Sequence, residues 1–258
     1  MLEKYDEELR KKTGRNLLEI AEDAAGTDAV IRGIMKKSEA AVVPITSGRG
    51  VIEGFSEAVA AILNHIGIKA NLTQGVNVVG IAEAYERDVD LVFSADDSKF
   101  VAINMRTRHV VDNAASTAKA YVAALDRMAK GLHGRHVLVI GVGEVGSAAI
   151  SNLILRRAKP IAVDIDKRKI KSLSRGFGRK VLVFDRLTEA IQQTNLIINT
   201  APQRNLIKVD MIKENTLISA PAIPIGLTQA ALRKVGGNLV HDPLQLGVAA
   251  MGVEACAN

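Results

Sequence analysis

Residues 136–166, HVLVIGVGEVGSAAISNLILRRAKPIAVDID, constrain the fold of this chain more than any other stretch. An apolar run over 137–140 enters the turn Gly141-Val142-Gly143-Glu144-Val145-Gly146, a helical segment follows, and a second apolar run over 160–163 ends on Asp164. Strand, glycine turn, helix, strand and acid in that order are the parts of a dinucleotide-binding βαβ unit. Gly141 takes the tight turn, Gly143 lets a pyrophosphate approach the backbone, and Gly146 lets the helix pack close to the strand. The phosphates then meet a helix N-terminus, where outward N–H groups and the helix dipole favour anions. Asp164 stands where a carboxylate bonds both ribose hydroxyls, which selects NAD, since a 2′-phosphate would face a like charge. Asp166, Lys167 and Arg168 complicate that choice, because basic residues just past the acid can hold such a phosphate.

With 258 residues the chain is long enough for two cores. Aromatic residues make up only 3% and tryptophan is absent, so the interior must be aliphatic. The formal charge of +6 does not imply a nucleic-acid partner. Basic residues alternate with acids, as in Lys4, Asp6, Glu7, Glu8, Arg10 and Lys11, the pattern of a solvated helix face. The densest basic stretch, 167–180, has only Phe177 on which a base might stack. Cys256 is the single cysteine, and the histidines are scattered with no ligand pair, so no disulfide within the chain and no metal site are expected. The first residues are charged, and no run of about 18 apolar residues occurs, so a soluble cytoplasmic protein without membrane contact is expected.

The periodicity divides the chain into N-terminal helices over 1–40, a smaller α/β domain over 41–130 that ends in a connecting helix, and a Rossmann domain over 131–258 with a C-terminal helix. In the middle segment, strands are expected over 41–45, 68–73 and 91–94, parallel and joined by helices over 51–66 and 78–87. A long helix over 114–132 ends at Gly131 and Gly134. Further strands over 181–184, 196–199, 216–220 and 238–241 complete the second sheet. In such α/β sheets ligands lie beyond the carboxyl ends of the strands. That directs attention to Thr46-Ser47-Gly48-Arg49-Gly50, Asp96-Asp97, Thr200-Ala201-Pro202, Ala220-Pro221 and Asp242-Pro243. Thr200, Ala201, Pro202, Ala220 and Pro221 join Gly141, Gly143, Glu144, Val145, Gly146 and Asp164 as the expected cofactor-binding set.

The segments VPITSGRGVIEGFSEAV (43–59), FSADDSKFVAIN (93–104), APAIPIG (220–226) and DPLQLGVAAM (242–251) closely resemble the pyrrolysine biosynthesis dehydrogenases, the enzymes that form the pyrroline ring. The likeness runs in order through nearly the whole chain and is weakest in the N-terminal helices. It implies an NAD-dependent amine oxidation in amino-acid biosynthesis. The substrate would be 3-methylornithyl-lysine, an isopeptide whose terminal primary amine is oxidised to a semialdehyde that cyclises to pyrrolysine. The resemblance carries Ser47, Phe55, Glu57 and Asp96 to the substrate, with Asp96 and Asp242 at the reacting end. Asp242 stands where the family has a glutamate, so its carboxylate is withdrawn by about one methylene.

Other readings of the same residues stay open. Asp96 and Asp97 serve equally well to cap a turn. Ser47 and Arg49 either shape a tight turn or, with the helix start at Val51, hold a carboxylate. Phe55 is core filler or a pocket wall. The helix carrying Leu2 and Leu9 is a lid or a homodimer contact. The alternatives for the whole chain are a two-domain NAD(P)-dependent dehydrogenase of another small amine, keto acid or folate-type substrate, and a non-catalytic NAD-sensing domain.

Overall fold

The computed structural model describes residues 1–46 and 53–258. Internal contacts divide the chain into two compact units, one of Met1–Asp6, Leu17–Ala120 and Leu244–Asn258, the other of Glu7–Asn16 and Tyr121–Pro243.

The first unit is built on a five-stranded sheet. Helix α1 (Leu2–Thr13) begins in this unit and continues into the other, and α2 (Leu17–Ala25) and α3 (Ile31–Met35) follow in this one. Strand β1 (Glu39–Val43), helix α4 (Phe55–His65), strand β2 (Lys69–Leu72), helix α5 (Asn77–Glu86) and strand β3 (Leu91–Ala95) then alternate. Ala40, Ala41, Val42 and Val43 are all buried, the continuous apolar run of a strand covered on both faces. Strands β4 (Phe100–Asn104) and β5 (Val110–Asp112) follow, giving the order β2-β1-β3-β4-β5. The strands expected over 41–45, 68–73 and 91–94 are β1, β2 and β3 and they are parallel; two unexpected strands extend the sheet, β4 antiparallel to β3 and β5 antiparallel to β4. The reversal is made by a four-residue turn after β3. The Asp96 carboxylate oxygen Oδ1 accepts the N–H groups of Ser98 and Lys99 at 2.7 and 2.8 Å, and the Asp96 N–H donates to the Lys99 carbonyl at 2.8 Å.

Helix α6 (Asn113–Met128) passes from the first unit to the second, and the division falls at Ala120 and Tyr121, inside the helix and before Gly131. The second unit contains β6 (His136–Ile140), α7 (Glu144–Leu155), β7 (Lys159–Val163), α8 (Lys167–Phe177) and β8 (Leu182–Val183). Short helix α9 (Leu187–Ala190), β9 (Leu196–Asn199), β10 (Leu217–Ser219), α10 (Gln229–Val235) and β11 (Leu239–Val240) complete it. The six strands are parallel in the order β11-β10-β9-β6-β7-β8. Counted from β6 this is the doubly wound 3-2-1-4-5-6 arrangement, whose switch point lies between β6 and β9. Leu138, Ile161, Ile197 and Ile218 are fully buried at its centre. The basic stretch after Asp166 is an amphipathic helix, with Ile170 and Leu173 buried and its cations outside.

Helix α11 (Gln245–Ala257) corrects the expected domain assignment. It follows the Rossmann strands in sequence but packs in the first unit, against α2, α4 and β4. A helix apolar on every side has to be enclosed, and nearly every residue from Leu246 to Cys256 is buried. Its glycines permit the close approach: a Cβ on Gly252 would lie 2.8 Å from Leu63 Cδ2, and one on Gly247 2.5 Å from Thr117 Oγ1. Its one charged residue, Glu254, pairs with the Lys119 ammonium and accepts from Ser116 Oγ at 3.0 Å. Among the described residues no helix is long and apolar enough to cross a membrane, and no group of three His, Cys, Asp or Glu is arranged to hold a metal ion.

Candidate dinucleotide and substrate sites

The glycine turn lies at the switch point between β6 and β9. Gly141 leaves β6 with φ +89°, a left-handed conformation that side chains resist, and its N–H donates to Val163 O at 2.9 Å. Gly146 sits inside the first turn of α7, where an added Cβ would lie 2.0 Å from Gly141 O and 2.8 Å from Thr200 Oγ1. Thr200 locks this arrangement from β9, with its hydroxyl 2.9 Å from Gly141 O and its N–H 2.9 Å from Ile140 O. Gly143 differs, because nothing lies within 4 Å of where its Cβ would be. It caps α7, which begins with Glu144 and Val145, without a side chain, so space is left beside the helix start. A close-packed turn with an open helix end fits a pyrophosphate.

Asp164, at the end of β7, is half-buried. Its Oδ2 accepts the Val142 N–H at 2.6 Å and its Oδ1 the Asp166 N–H at 2.7 Å. Both bonds fix the carboxylate beside the glycine turn, while each oxygen keeps a lone pair for a ribose hydroxyl. Ala201 and Pro202 continue from Thr200, and the Ala201 N–H donates to Asn199 Oδ1 at 3.3 Å. Ala220 is fully buried in the core, its N–H bound to Val240 O at 2.9 Å and its carbonyl 2.6 Å from His241 Nδ1. Ala220 therefore belongs to the support of the site, and Pro221 beside it is half-exposed. Asn199, absent from the expected set, ties β9 to the irregular passage 220–226 through Nδ2 to Ile225 O at 2.8 Å. Its sequence position at a strand end was visible, but a buried asparagine has no local signature.

In the first unit, Phe55 opens α4 and its half-buried ring meets that of Phe100 edge-on, with centroids 5.3 Å apart and planes at 70°. Phe100 pairs with Ala95 across the β3–β4 hairpin, so Phe55 and Asp96 come to the same end of the sheet. Phe100, outside the expected set, lies within the FSADDSKFVAIN segment and is one of only five phenylalanines. Asp96 is exposed, and the Lys99 and Ser98 N–H groups hold its carboxyl below the ordinary range. Its bonds are those of a turn cap. Glu57 is exposed in the first turn of α4, two residues beyond Phe55 and so about 200° round the helix. It does not share the face on which Phe55 meets Phe100. Ser47 and Arg49 lie outside the described residues.

Asp242 is buried against Tyr121 in the second unit. The Tyr121 hydroxyl lies 2.7 Å from Asp242 O and 3.1 Å from its Oδ2, and accepts the Asp242 N–H at 3.0 Å. Burial, and then the neighbouring carboxylate, push this hydroxyl well above its ordinary value, so it stays protonated. Asp242 and His241 have separate partners and do not form a base with its orienter. Asp6 in α1 holds His65 Nε2 at 2.8 Å and caps the Leu17 N–H at 2.7 Å, and Leu9 is buried, so α1 has partners within the chain.

Residues 1–111 match the family model described as pyrrolysine biosynthesis protein PylD, N-terminal domain, and residues 123–222 match that of shikimate/quinate 5-dehydrogenase. The chain is 27% identical to pyrrolysine synthase of Methanosarcina acetivorans over 250 residues, which cover 97% of this chain and 92% of the relative. The enzyme of the same name from Methanosarcina barkeri is 26% identical, with 97% and 91% covered. Among solved structures, shikimate dehydrogenase of Aquifex aeolicus superimposes with a TM-score of 0.59 at 18% identity, covering 84% of this chain and 90% of that one. Quinate dehydrogenase of Corynebacterium glutamicum in complex with NAD gives 0.58 at 13% identity, covering 84% and 92%. The structural likenesses establish the α/β fold and nothing beyond it.

Proposed function

We propose, since this chain belongs to the PylD family of pyrrolysine biosynthesis, that it is an NAD-dependent dehydrogenase oxidising the terminal amine of 3-methylornithyl-lysine. The observation that carries this reading is the likeness to two pyrrolysine synthases over 97% of the chain, both units included. The oxidation removes a hydride and a proton from the carbon–nitrogen unit of the primary amine. Water then replaces ammonia to leave a semialdehyde, and condensation with the neighbouring α-amine, with loss of water, closes the pyrroline ring.

NAD, when bound, supplies the hydride acceptor. The turn from Gly141 to Gly146 and the N-terminus of α7 would hold its pyrophosphate, and Asp164 its ribose hydroxyls. Thr200 keeps the glycine turn and β9 in register. Thr200, Ala201, Pro202 and Pro221 would flank the nicotinamide half at the strand ends, with Ala220 and Asn199 as backbone supports.

Hydride leaves only from the free amine, because an ammonium has no lone pair to push electrons out of the C–H bond. With an alkyl amine pKa of about 10.4, a proton must leave first. Asp96 is held ionised by two backbone N–H groups, which makes it a poor base and a good anchor for a substrate cation. Phe55 and Phe100 would supply the apolar wall beside it. Asp242 acts through the segment that it fixes to Tyr121. An alkaline activity optimum follows.

The test combines purified protein, NAD and synthetic 3-methylornithyl-lysine, with the near-ultraviolet absorbance of reduced nicotinamide and mass analysis of the product. Reduced NAD together with pyrrolysine is the expected result. Confirmed NAD binding with no reduction would remove the substrate assignment.

A further inference from the structure

The cations following Asp164 decide how the site would treat a 2′-phosphate. Basic side chains just beyond the ribose carboxylate are the usual grip on that group, and Lys167 and Arg168 stand there. Each is engaged with an acid of its own unit. The Lys167 ammonium pairs with Asp185. Arg168 folds back onto Asp166, with Nε 3.3 Å from Oδ1 and Nη2 3.2 Å from Oδ2.

Asp166 is not an ordinary surface partner. Its Oδ1 also accepts the Arg168 N–H at 2.9 Å, the N-cap bond of α8, so the carboxylate is fixed by the helix start. Its own N–H donates to Asp164 Oδ1 at 2.7 Å. The ribose carboxylate, the helix cap and the guanidinium fork are thus linked through three residues. An isolated exposed ion pair holds weakly, and the Arg168 side chain is 93% exposed. Here, however, the anion is immobilised and grips the guanidinium through two of its nitrogens, so a phosphate must take Arg168 out of a preformed fork.

We infer that Asp166 is a specificity-determining residue: by occupying the guanidinium of Arg168, it makes the site reject the 2′-phosphate of NADP more strongly than Asp164 does alone. The inference rests on the reading of this site as NAD-binding. Asp166→Asn is the informative variant, since asparagine keeps the helix cap and removes the charge that holds Arg168.

Calorimetric titration of NAD and of NADP into the wild type, Asp166→Asn, Arg168→Ala and the double variant tests it without any turnover. In Asp166→Asn, NADP should bind about tenfold tighter, as a freed arginine takes the phosphate, while NAD changes less than about twofold. In the double variant the NADP gain should vanish. A gain that survives loss of Arg168 would mean that removing negative charge suffices, and no gain in Asp166→Asn would mean that the fork does not restrain Arg168. Either result overturns the inference while NAD binding by the wild type leaves the cofactor reading intact. A wild type that prefers NADP, and loses that preference in Arg168→Ala, overturns both.

Discussion

Gly143 and Gly146 belong to one turn, and alanine at each should have opposite consequences. At Gly146 the new Cβ would lie 2.0 Å from Gly141 O, so α7 and the turn must separate by at least about 1 Å to reach the 3.0 Å below which real contacts essentially never fall. Overpacking of this kind costs about 1–3 kcal/mol, more where the obstacle is backbone. The better helix propensity of alanine returns about 1 kcal/mol. A net loss near 2 kcal/mol lowers the melting temperature of a domain of this size by roughly 4–8 °C. At Gly143 the backbone already has φ −72° and ψ −165°, which alanine adopts freely, and nothing lies within 4 Å of the new methyl. Reduced freedom of the unfolded chain should stabilise this variant by about 0.4–1 kcal/mol. The methyl would nevertheless stand where a pyrophosphate approaches, and about tenfold weaker NAD binding corresponds to 1.4 kcal/mol. Calorimetric melting without ligand, paired with titration of NAD, separates the two effects. A Gly143→Ala protein that binds NAD like the wild type, or that melts as low as Gly146→Ala, would refute the opposite roles of the two glycines.

Tyr121→Phe removes the hydroxyl that bonds both the Asp242 N–H and its carboxylate in a buried setting, and chemical denaturation should show a loss of about 1–3 kcal/mol. Asp96→Asn keeps an oxygen for the Ser98 and Lys99 N–H groups, so melting should hardly change; turnover should fall sharply at unaltered NAD affinity, and full turnover would reduce Asp96 to a turn residue. For Asp112, burial pushes the carboxyl up, but Lys99 and the first N–H groups of α6 outweigh it and hold the folded value below the ordinary one. Such a group contributes stability that is present above its unfolded pKa of about 3.9 and lost as pH falls through the lower folded value. Acid titration followed by circular dichroism should therefore show less acid destabilisation in Asp112→Asn than in the wild type. Burial raises the Cys256 thiol to about 11, so thiol reagents should leave it untouched at neutral pH until denaturant is added.

The nucleotide-binding half was readable because its signals are local. Short buried apolar runs such as 137–140 and 196–198 mark parallel strands, and glycines before a helix mark the turn. Strands β4 and β5 were not readable: after Asp96, residues 100–104 and 110–112 are short and only partly buried, and the turn that reverses the chain uses side-chain bonds that composition does not announce. The all-apolar pattern of α11 requires that it be enclosed, but the elements that cover it are distant in sequence. The same distance hid the partner of Asp242, since Tyr121 lies 121 residues away and reads as one more apolar helix position. Asp96 was legible as a strand-end acid; its bonds to Ser98 and Lys99 required the turn itself.

The placement of α11 has a consequence for the order in which this chain can fold. Residues 121–243 are synthesised as an uninterrupted stretch and can assemble their parallel sheet as soon as they emerge. The earlier unit has to wait. Leu63, Ile66 and Ile68 lie against Gly252, so the apolar surface around them has no cover until residues 245–257 leave the ribosome. Of the two units, the one begun first is therefore completed last, and it remains exposed to proteolysis and aggregation for the time taken to translate the other.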